Sequence, residues 1–258
     1  MTNERLMIDI VLVLYAAAAA GYFISVGYRW LAKASFWLAS IGLAANFLAL
    51  VNRVSLSGRL PLSNGYEFLL SFAFITVLMY LLYEILSDNQ KAGGVVMLLN
   101  TLLITAIIVL MPQQIGETTP LMPALKSPWL TVHVITAIIA YSAFTLAAGL
   151  AIIQLRNAIS ADDSSIYRIV SAGFAMLSLS IVLGAIWAEQ VWGSYWTWDP
   201  KETWALVTWI IYAIYLHLHR QRSWRGNNAR ILIIIGFLLV LFTFFGVNYL
   251  LPGLHSYA

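Results

Sequence analysis

The chain has 258 residues, of which 61% are hydrophobic and 10% charged, and its formal net charge at pH 7 is +3. Soluble domains carry about 25% charged residues, so this composition excludes a protein that faces water on all sides. The small net charge says little about nucleic acid, and no nucleic-acid partner is expected. The chain has no cysteine, which excludes disulfides, thiolate metal sites and thiol redox steps carried by its own residues.

Apolar runs follow one another along most of the chain. Runs of about 18 or more apolar residues are typical of membrane-spanning helices. Eight occur, at about residues 7–27, 35–52, 66–86, 94–111, 129–154, 169–190, 203–220 and 230–250. Because little sequence is left for a soluble domain, we expect an all-α, polytopic integral membrane protein with about eight transmembrane helices, in which residues 1–258 form a single membrane domain.

The basic residues predict how the spans are oriented. Cytoplasmic loops collect lysine and arginine, and four arginines lie in the loop after the seventh run. If that loop is inside, nine of the 14 basic residues lie inside and five outside. The outer five are Arg5, Arg53, Arg59, Lys126 and Lys201. The segment between runs six and seven and the C-terminus are then predicted to be extracytoplasmic.

That segment, residues 191–204, is rich in tryptophan. Trp192 and Trp196 are four residues apart and would share a face of a helix, and Trp198 follows. An aromatic belt at the membrane interface is the simplest explanation for one or two tryptophans. With Tyr195 and the nearby tryptophans at 187, 204 and 209, we interpret the cluster as a platform for a large, flat, mostly apolar ligand.

The end of the tryptophan-rich segment predicts the start of a helix. In Asp199-Pro-Lys-Glu202, aspartate would be the N-cap, proline the first helical residue and glutamate the third. Asp199 is therefore expected to contribute through geometry even where it does not contact a ligand.

Four motifs together resemble one protein family. Trp192-Gly-Ser-Tyr-Trp-Thr-Trp-Asp199 is similar to the tryptophan-rich signature of haem-handling membrane proteins, which CcmC and CcmF also carry. Its continuation, Pro200-Lys-Glu-Thr-Trp204-Ala, resembles the CcsA (ResC) family of cytochrome c biogenesis proteins. The other three motifs are Pro61-Leu-Ser-Asn-Gly-Tyr-Glu67, Ser127-Pro-Trp-Leu-Thr-Val-His133 and Gly253-Leu-His-Ser-Tyr257. Many members of that family have longer loops or tails.

Three histidines acquire roles from this resemblance. His133 lies about one turn into the fifth run and His255 follows the eighth, so both are predicted to lie outside beside the tryptophans. Haem iron takes an imidazole on an axial side, and the resemblance implies that these two histidines are the axial ligands of an outer haem. It links His217, near the inner end of the seventh run, to an inner haem site. The second ligand of that inner site is not evident here and is expected from a partner subunit.

The resemblance implies cytochrome c biogenesis with haem b as ligand and substrate. Haem would be received near His217, held outside between His133 and His255 on Trp192, Trp196, Trp198 and Asp199, and attached to apocytochrome c. That reaction joins haem vinyl groups to the thiols of a Cys-x-x-Cys-His segment, a haem lyase (holocytochrome c synthase) activity within a complex. No general acid or base is evident in the sequence.

Partners and location are implied in the same way. A CcsB/ResB-type membrane subunit would complete the complex, and a thiol-reducing thioredoxin-like protein would keep the apocytochrome thiols reduced. The membrane would be a bacterial cytoplasmic membrane or a thylakoid membrane. Two alternatives remain open: a CcmC-like haem exporter or carrier without lyase activity, and a transporter of another ligand with an incidental aromatic belt.

Overall fold

The computed structural model describes residues 3–25, 28–118, 120–156, 163–221, 224–251 and 253. Every regular element in those ranges is helical, which confirms the all-α fold. The long helices are α1 (Asn3–Ile24), α2 (Arg29–Ser57), α3 (Gly65–Ser87), α4 (Gly93–Leu110), α5 (Pro128–Arg156), α6 (Asp163–Trp192), α7 (Pro200–Leu218) and α8 (Asn227–Leu241). Helix α8 continues through a π turn (Phe242–Gly246) into α9 (Val247–Leu250), and short 3-10 turns occupy Pro112–Gln114 and Pro123–Leu125.

The predicted spans correspond to these helices, and the protein is an integral membrane protein. Among the described residues, 7 helices are long and apolar enough to cross a membrane, with α8 and α9 counted as one. The remaining helix, α7, has 19 residues, but it begins with a charged turn and is rich in tryptophan and tyrosine. These residues lower its mean hydropathy although they suit a membrane interface.

The contacts divide the chain into two compact units, Met1–Pro120 and Leu121–Ala258, and the single membrane domain stays a prediction. In the first unit α1 packs against α2 and α4, and α3 packs against α2 and α4. Small residues allow the close approach: the Cα of Gly42 lies against the Tyr15 ring, and that of Gly93 lies against Tyr22 and Tyr80.

A buried ionic cluster fastens α1, α2 and α3 at one end of the first unit. Arg53 Nε donates to Glu67 Oε1 at 2.9 Å, and its Nη1 lies 3.6 Å from Glu4 Oε2. Arg59 Nη1 donates to the other Glu67 oxygen at 2.7 Å, and Tyr66 donates to Glu4 at 2.8 Å. The two arginines and two glutamates balance in charge, which is what burial of such groups requires.

This cluster corrects one part of the sequence prediction. Arg53 was assigned to an outer loop because the apolar run ends at residue 52. It instead lies within α2, which continues to Ser57, and its side chain is 0% exposed. The helix extends past the apolar run because Glu4 and Glu67 neutralise the guanidinium.

In the second unit α5 packs against α6 and α8, and α7 packs against α6 and α8. Helix α5 is the most enclosed of these, since the side chains from Thr136 to Ala151 are buried on nearly all sides. Phe144 of α5 stacks on Tyr212 of α7, with ring centroids 3.6 Å apart and an interplanar angle of 8°. This packing fixes α5, α6 and α7, the helices that carry the candidate site.

Candidate functional site

A short irregular link, residues 193–199, joins α6 to α7 and forms the middle of the tryptophan-rich segment. Helix α6 ends after Trp192, where Gly193 takes a left-handed backbone with φ +73°. At the other end the Asp199 side chain accepts from the Lys201 N–H at 3.0 Å, and the Glu202 carboxylate accepts from the Asp199 N–H at 3.2 Å. The predicted capping box, with Pro200 in the first turn, is confirmed.

Trp198 is an exposed residue of this link, and Trp196 beside it is half-buried. Trp198 has φ +59° and its side chain is 68% exposed, although it is a large apolar residue. Its ring meets that of Trp196 edge to face, with centroids 5.8 Å apart. The Trp196 indole Nε1 is shielded from solvent and has no hydrogen-bond partner among the described residues, so it is a buried donor in need of an acceptor.

The tryptophans of the predicted cluster that lie within helices pack against neighbouring helices and loops. Trp187 is 1% exposed, and its indole donates to the Ala124 carbonyl at 2.9 Å. It supports Trp192 edge to face, with centroids 4.8 Å apart. Trp209 donates to Ser178 of α6 at 2.8 Å. The sequence interpretation grouped all these rings in one platform, whereas the described contacts use Trp187 and Trp209 within the helix packing.

His133 of α5 is held by the backbone of α6. Its Nδ1 lies 2.8 Å from the Ser180 carbonyl oxygen, and Ser180 Oγ donates to the His133 carbonyl at 3.1 Å. Ser180 Oγ also lies 3.1 Å from Nδ1, but the carbonyl oxygen is nearer and only accepts, so the proton is assigned to Nδ1 and the lone pair of the neutral ring to Nε2. This is the arrangement typical of histidines that bind a metal through Nε2.

A glycine makes room for that ring. A Cβ atom on Gly184 would lie 2.8 Å from both Cε1 and Nδ1 of His133. Ser180, Gly184 and Trp187 are spaced by four and three residues, so they share one face of α6. Trp192 lies eight residues beyond Gly184, about 12 Å along the helix axis at 1.5 Å per residue. His133 and the tryptophan-rich segment therefore occupy the same end of the second unit.

Gly253, the first residue of the C-terminal motif, packs against the end of the link. A Cβ atom on Gly253 would lie 2.5 Å from Asp199 Oδ2 and 3.1 Å from Pro200 Cδ. Asp199 is only 6% exposed, so its carboxylate acts in the geometry of the link. His255, two residues further along the chain, lies outside the described residues.

Lys201 and the π turn connect the link to α8. Lys201 Nζ donates to Asn248 Oδ1 at 2.9 Å and lies 6.0 Å from the centre of the Phe244 ring. Single π turns occur frequently at functional sites. Here the turn at Phe242–Gly246 contains Phe244 and is followed in α9 by Asn248, so Lys201 contacts both the turn and the helix after it.

The two histidines at the far end of α7 differ in their surroundings. His217 is the penultimate residue of the helix and its side chain is exposed. His219 instead stacks on Tyr167 of α6, with centroids 4.7 Å apart, and lies near Tyr215 at 5.6 Å. Of this pair, His217 is therefore the one with the more exposed ring.

Sequence reasoning missed Ser180 and Gly184, and it recognised Glu202 only as a helix cap. Small residues in a membrane helix ordinarily indicate close helix packing, so neither Ser180 nor Gly184 carries a distinct signal. Among the residues described, no three histidine, aspartate or glutamate side chains converge as a metal site.

The fold and the site define a polytopic membrane protein with an aromatic link, capped at the start of α7, at the same end of the second unit as a histidine whose Nδ1 contacts Ser180. A family profile described as "Cytochrome C assembly protein" matches residues 62–255. The chain belongs to the CcsA family of cytochrome c biogenesis proteins.

Individual relatives agree. The protein is 39% identical to cytochrome c biogenesis protein CcsA of Chlamydomonas reinhardtii, over 81% of this chain and 64% of the relative. It is 33% identical to the protein of that name from Cyanophora paradoxa, over 89% of this chain and 88% of the relative. It is 34% identical to the protein of that name from Porphyra purpurea, over 90% of this chain and 88% of the relative.

A solved structure shares the fold. Cytochrome c Heme Lyase CcmF matches 94% of this chain with a TM-score of 0.77, at 14% sequence identity. The match covers 46% of the CcmF chain. At this identity the likeness concerns the arrangement of helices alone.

Proposed function

We propose that this protein handles haem during cytochrome c maturation, holding it at the tryptophan-rich end of the second unit and presenting it to apocytochrome c. The observation that carries the proposal is the His133 ring, whose Nδ1–H is given to Ser180 and whose Nε2 is thereby kept as the metal-binding nitrogen. This ring lies at the end of the second unit that carries the exposed Trp198.

The chemistry of the link fits haem as cargo. A porphyrin is flat and apolar with two carboxylates at one edge, and Trp198 offers an exposed aromatic face. The buried Trp196 N–H lacks an acceptor among the described residues, and a propionate oxygen would supply one. Trp192 completes the aromatic set, and Asp199 contributes by shaping the link.

His133 and His255 are proposed as the two axial ligands of the outer site. Support for His255, which is outside the described ranges, comes from Gly253, which packs against Asp199 at the end of the link. His255 follows that glycine by two residues in the sequence. His217 is proposed to serve an inner site, with its second ligand supplied by a CcsB/ResB-type subunit.

The proposed reaction is the attachment of haem to a Cys-x-x-Cys-His segment. Each thioether forms when a thiol S–H adds across a vinyl C=C bond: sulfur binds one carbon, and the proton ends on the other. No oxidant or reductant is consumed. Both thiols belong to apocytochrome c, because this chain has no cysteine, and a thioredoxin-like partner would keep them reduced. This chain's contribution is orientation of the reactants.

The proposed topology places the tryptophan-rich segment and the C-terminus outside and His217 near the inner surface. Haem would then be received inside and attached outside. The whole chain would act as one membrane domain within a complex in a bacterial cytoplasmic or thylakoid membrane.

Co-expression with an apocytochrome c and a ResB-type subunit tests the proposal. We expect covalent haem on the apocytochrome and a haem absorption spectrum from the purified complex. Free haem outside without covalent attachment would indicate an exporter instead. A complex that carries no haem would contradict both functions.

A further inference from the structure

Trp198 has an unusual backbone conformation. Among the described residues, it and Asp88 are the two non-glycine residues with a positive φ, at +59° and +48°. Asp88 is the C-cap of α3, a place where left-handed residues are common. Trp198 precedes a helix instead, and bulky residues rarely adopt this conformation without support from their surroundings.

The support comes from Glu202. Its Oε2 accepts from the Thr197 N–H at 2.8 Å and from the Asp199 N–H at 3.2 Å. These are the backbone amides immediately before and after Trp198. Thr203 Oγ1 also donates to the Trp198 carbonyl at 3.3 Å. A capping box needs only the contact with the N-cap residue Asp199, so the shorter bond to Thr197 lies beyond what helix capping requires.

We propose that Glu202 is a positioning residue that sets the orientation of the Trp198 indole for ligand binding. The inference rests on the proposed role of the tryptophans in holding haem. By gripping both flanking amides, the carboxylate keeps Trp198 left-handed and its ring exposed. Without the carboxylate, residue 198 relaxes to the right-handed or extended conformations that bulky residues prefer, and the indole turns to another direction.

A purely structural role for Glu202 has different consequences. If the carboxylate only capped α7, its loss would weaken the helix whatever residue stood at position 198. If it acts through Trp198, its loss has no further effect on haem once the indole is gone. A double-mutant cycle separates the two cases.

The first measurement is the rate of haem transfer from the purified complex with its ResB-type partner to excess apomyoglobin. Glu202→Ala and Trp198→Ala should each accelerate haem loss roughly tenfold, which corresponds to the stacking of one aromatic side chain. The double variant should match Trp198→Ala alone. Glu202→Gln should behave as the parent, since its amide oxygen accepts both N–H groups. The proposal would be overturned if the two substitutions accelerated haem loss independently, so that their effects multiplied in the double variant. A parent-like rate for Glu202→Ala would also overturn it.

Glu117→Ala is the matched control. It removes an exposed carboxylate that receives no hydrogen bond from the part of the chain described, and it should leave the transfer rate unchanged. A comparable acceleration in this variant would assign the effect to lost charge and contradict positioning by Glu202.

A second measurement needs no haem. Because the chain has no cysteine, a single Tyr195→Cys substitution, at an exposed position of the link outside the contacts of Glu202, can carry a nitroxide label. Adding Glu202→Ala should increase the label's mobility, and adding Glu202→Gln should not. Unchanged mobility in the alanine variant would refute the clamp. If the parent complex carries no haem, the proposed function fails, while this readout still decides whether Glu202 positions the link.

Discussion

A methyl group on Gly184 would lie 2.8 Å from Nδ1 of His133. The imidazole is thus set against the backbone of α6, one turn after the Ser180 carbonyl that accepts its proton at 2.8 Å. The position of the proposed iron ligand depends on the absence of a side chain on the neighbouring helix.

Gly184→Ala should therefore displace His133 and alter the haem absorption spectrum of the purified complex. Gly173→Ala is a matched control on the same pair of helices, because its Cβ would lie 2.9 Å from Phe144 Cε1 rather than against the histidine. The control should lower the thermal midpoint and leave the spectrum of retained haem unchanged. A parent-like haem spectrum for Gly184→Ala would contradict the assignment of His133 as an iron ligand.

Imidazole rescue should distinguish the ligands from the aromatic surface. His133→Ala and His255→Ala should each vacate a coordination position that added imidazole can fill. Trp196→Ala should lose stacking worth ~1–3 kcal/mol without vacating the iron, so imidazole should not restore it. Absorption spectra and cytochrome c yield with and without imidazole provide the test. Rescue of the tryptophan variant would contradict the assignment.

The buried ionic cluster predicts a large effect on stability. Arg53→Ala would leave Glu4 and Glu67 buried without their shared partner, at a cost of about 3–5 kcal/mol. Arg5→Ala breaks a half-exposed pair with Asp9, with both side chains 31% exposed, and should cost at most about 1 kcal/mol. Thermal unfolding in detergent compares the two. Equal thermal midpoints for the Arg53→Ala and Arg5→Ala variants would show that the cluster adds nothing to stability.

Sequence patterns are informative where an interaction is local. The apolar runs predict the helices, and Asp199-Pro-Lys-Glu202 predicts its own capping box because the partners are three residues apart. Helix packing decides the rest: His133 meets Ser180 across 47 residues, and no pattern indicates which turn of α6 faces α5. Arg53 was misplaced for the same reason, since its partners belong to other helices.

Reporter fusions test the topology. A reporter at Arg225 should be cytoplasmic and one at Ala258 extracytoplasmic, because basic residues divide nine to five between the two sides. Arg53 belongs to α2 rather than to a loop, and it stays in the predicted outer set. Both reporters on one side would contradict this orientation.

His217→Ala should reduce the supply of haem without destroying the outer site. Complexes made with the partner subunit should carry less haem and mature less cytochrome c. Haem added from outside should still bind with the parent spectrum, because His133 and the tryptophans are unchanged. Normal haem content and normal maturation in this variant would exclude a separate inner site in this chain.

The contact between Gly253 and Asp199 ties the site to the order of synthesis. Gly253 follows Asp199 by 54 residues, and ribosomes add about 5–20 residues per second. The aspartate therefore emerges roughly 3–11 s before the residue that covers it. During that interval α7 has its cap, but Gly253 does not yet pack against the Asp199 carboxylate. A nascent chain cannot form all the contacts of the link until α8 has entered the membrane.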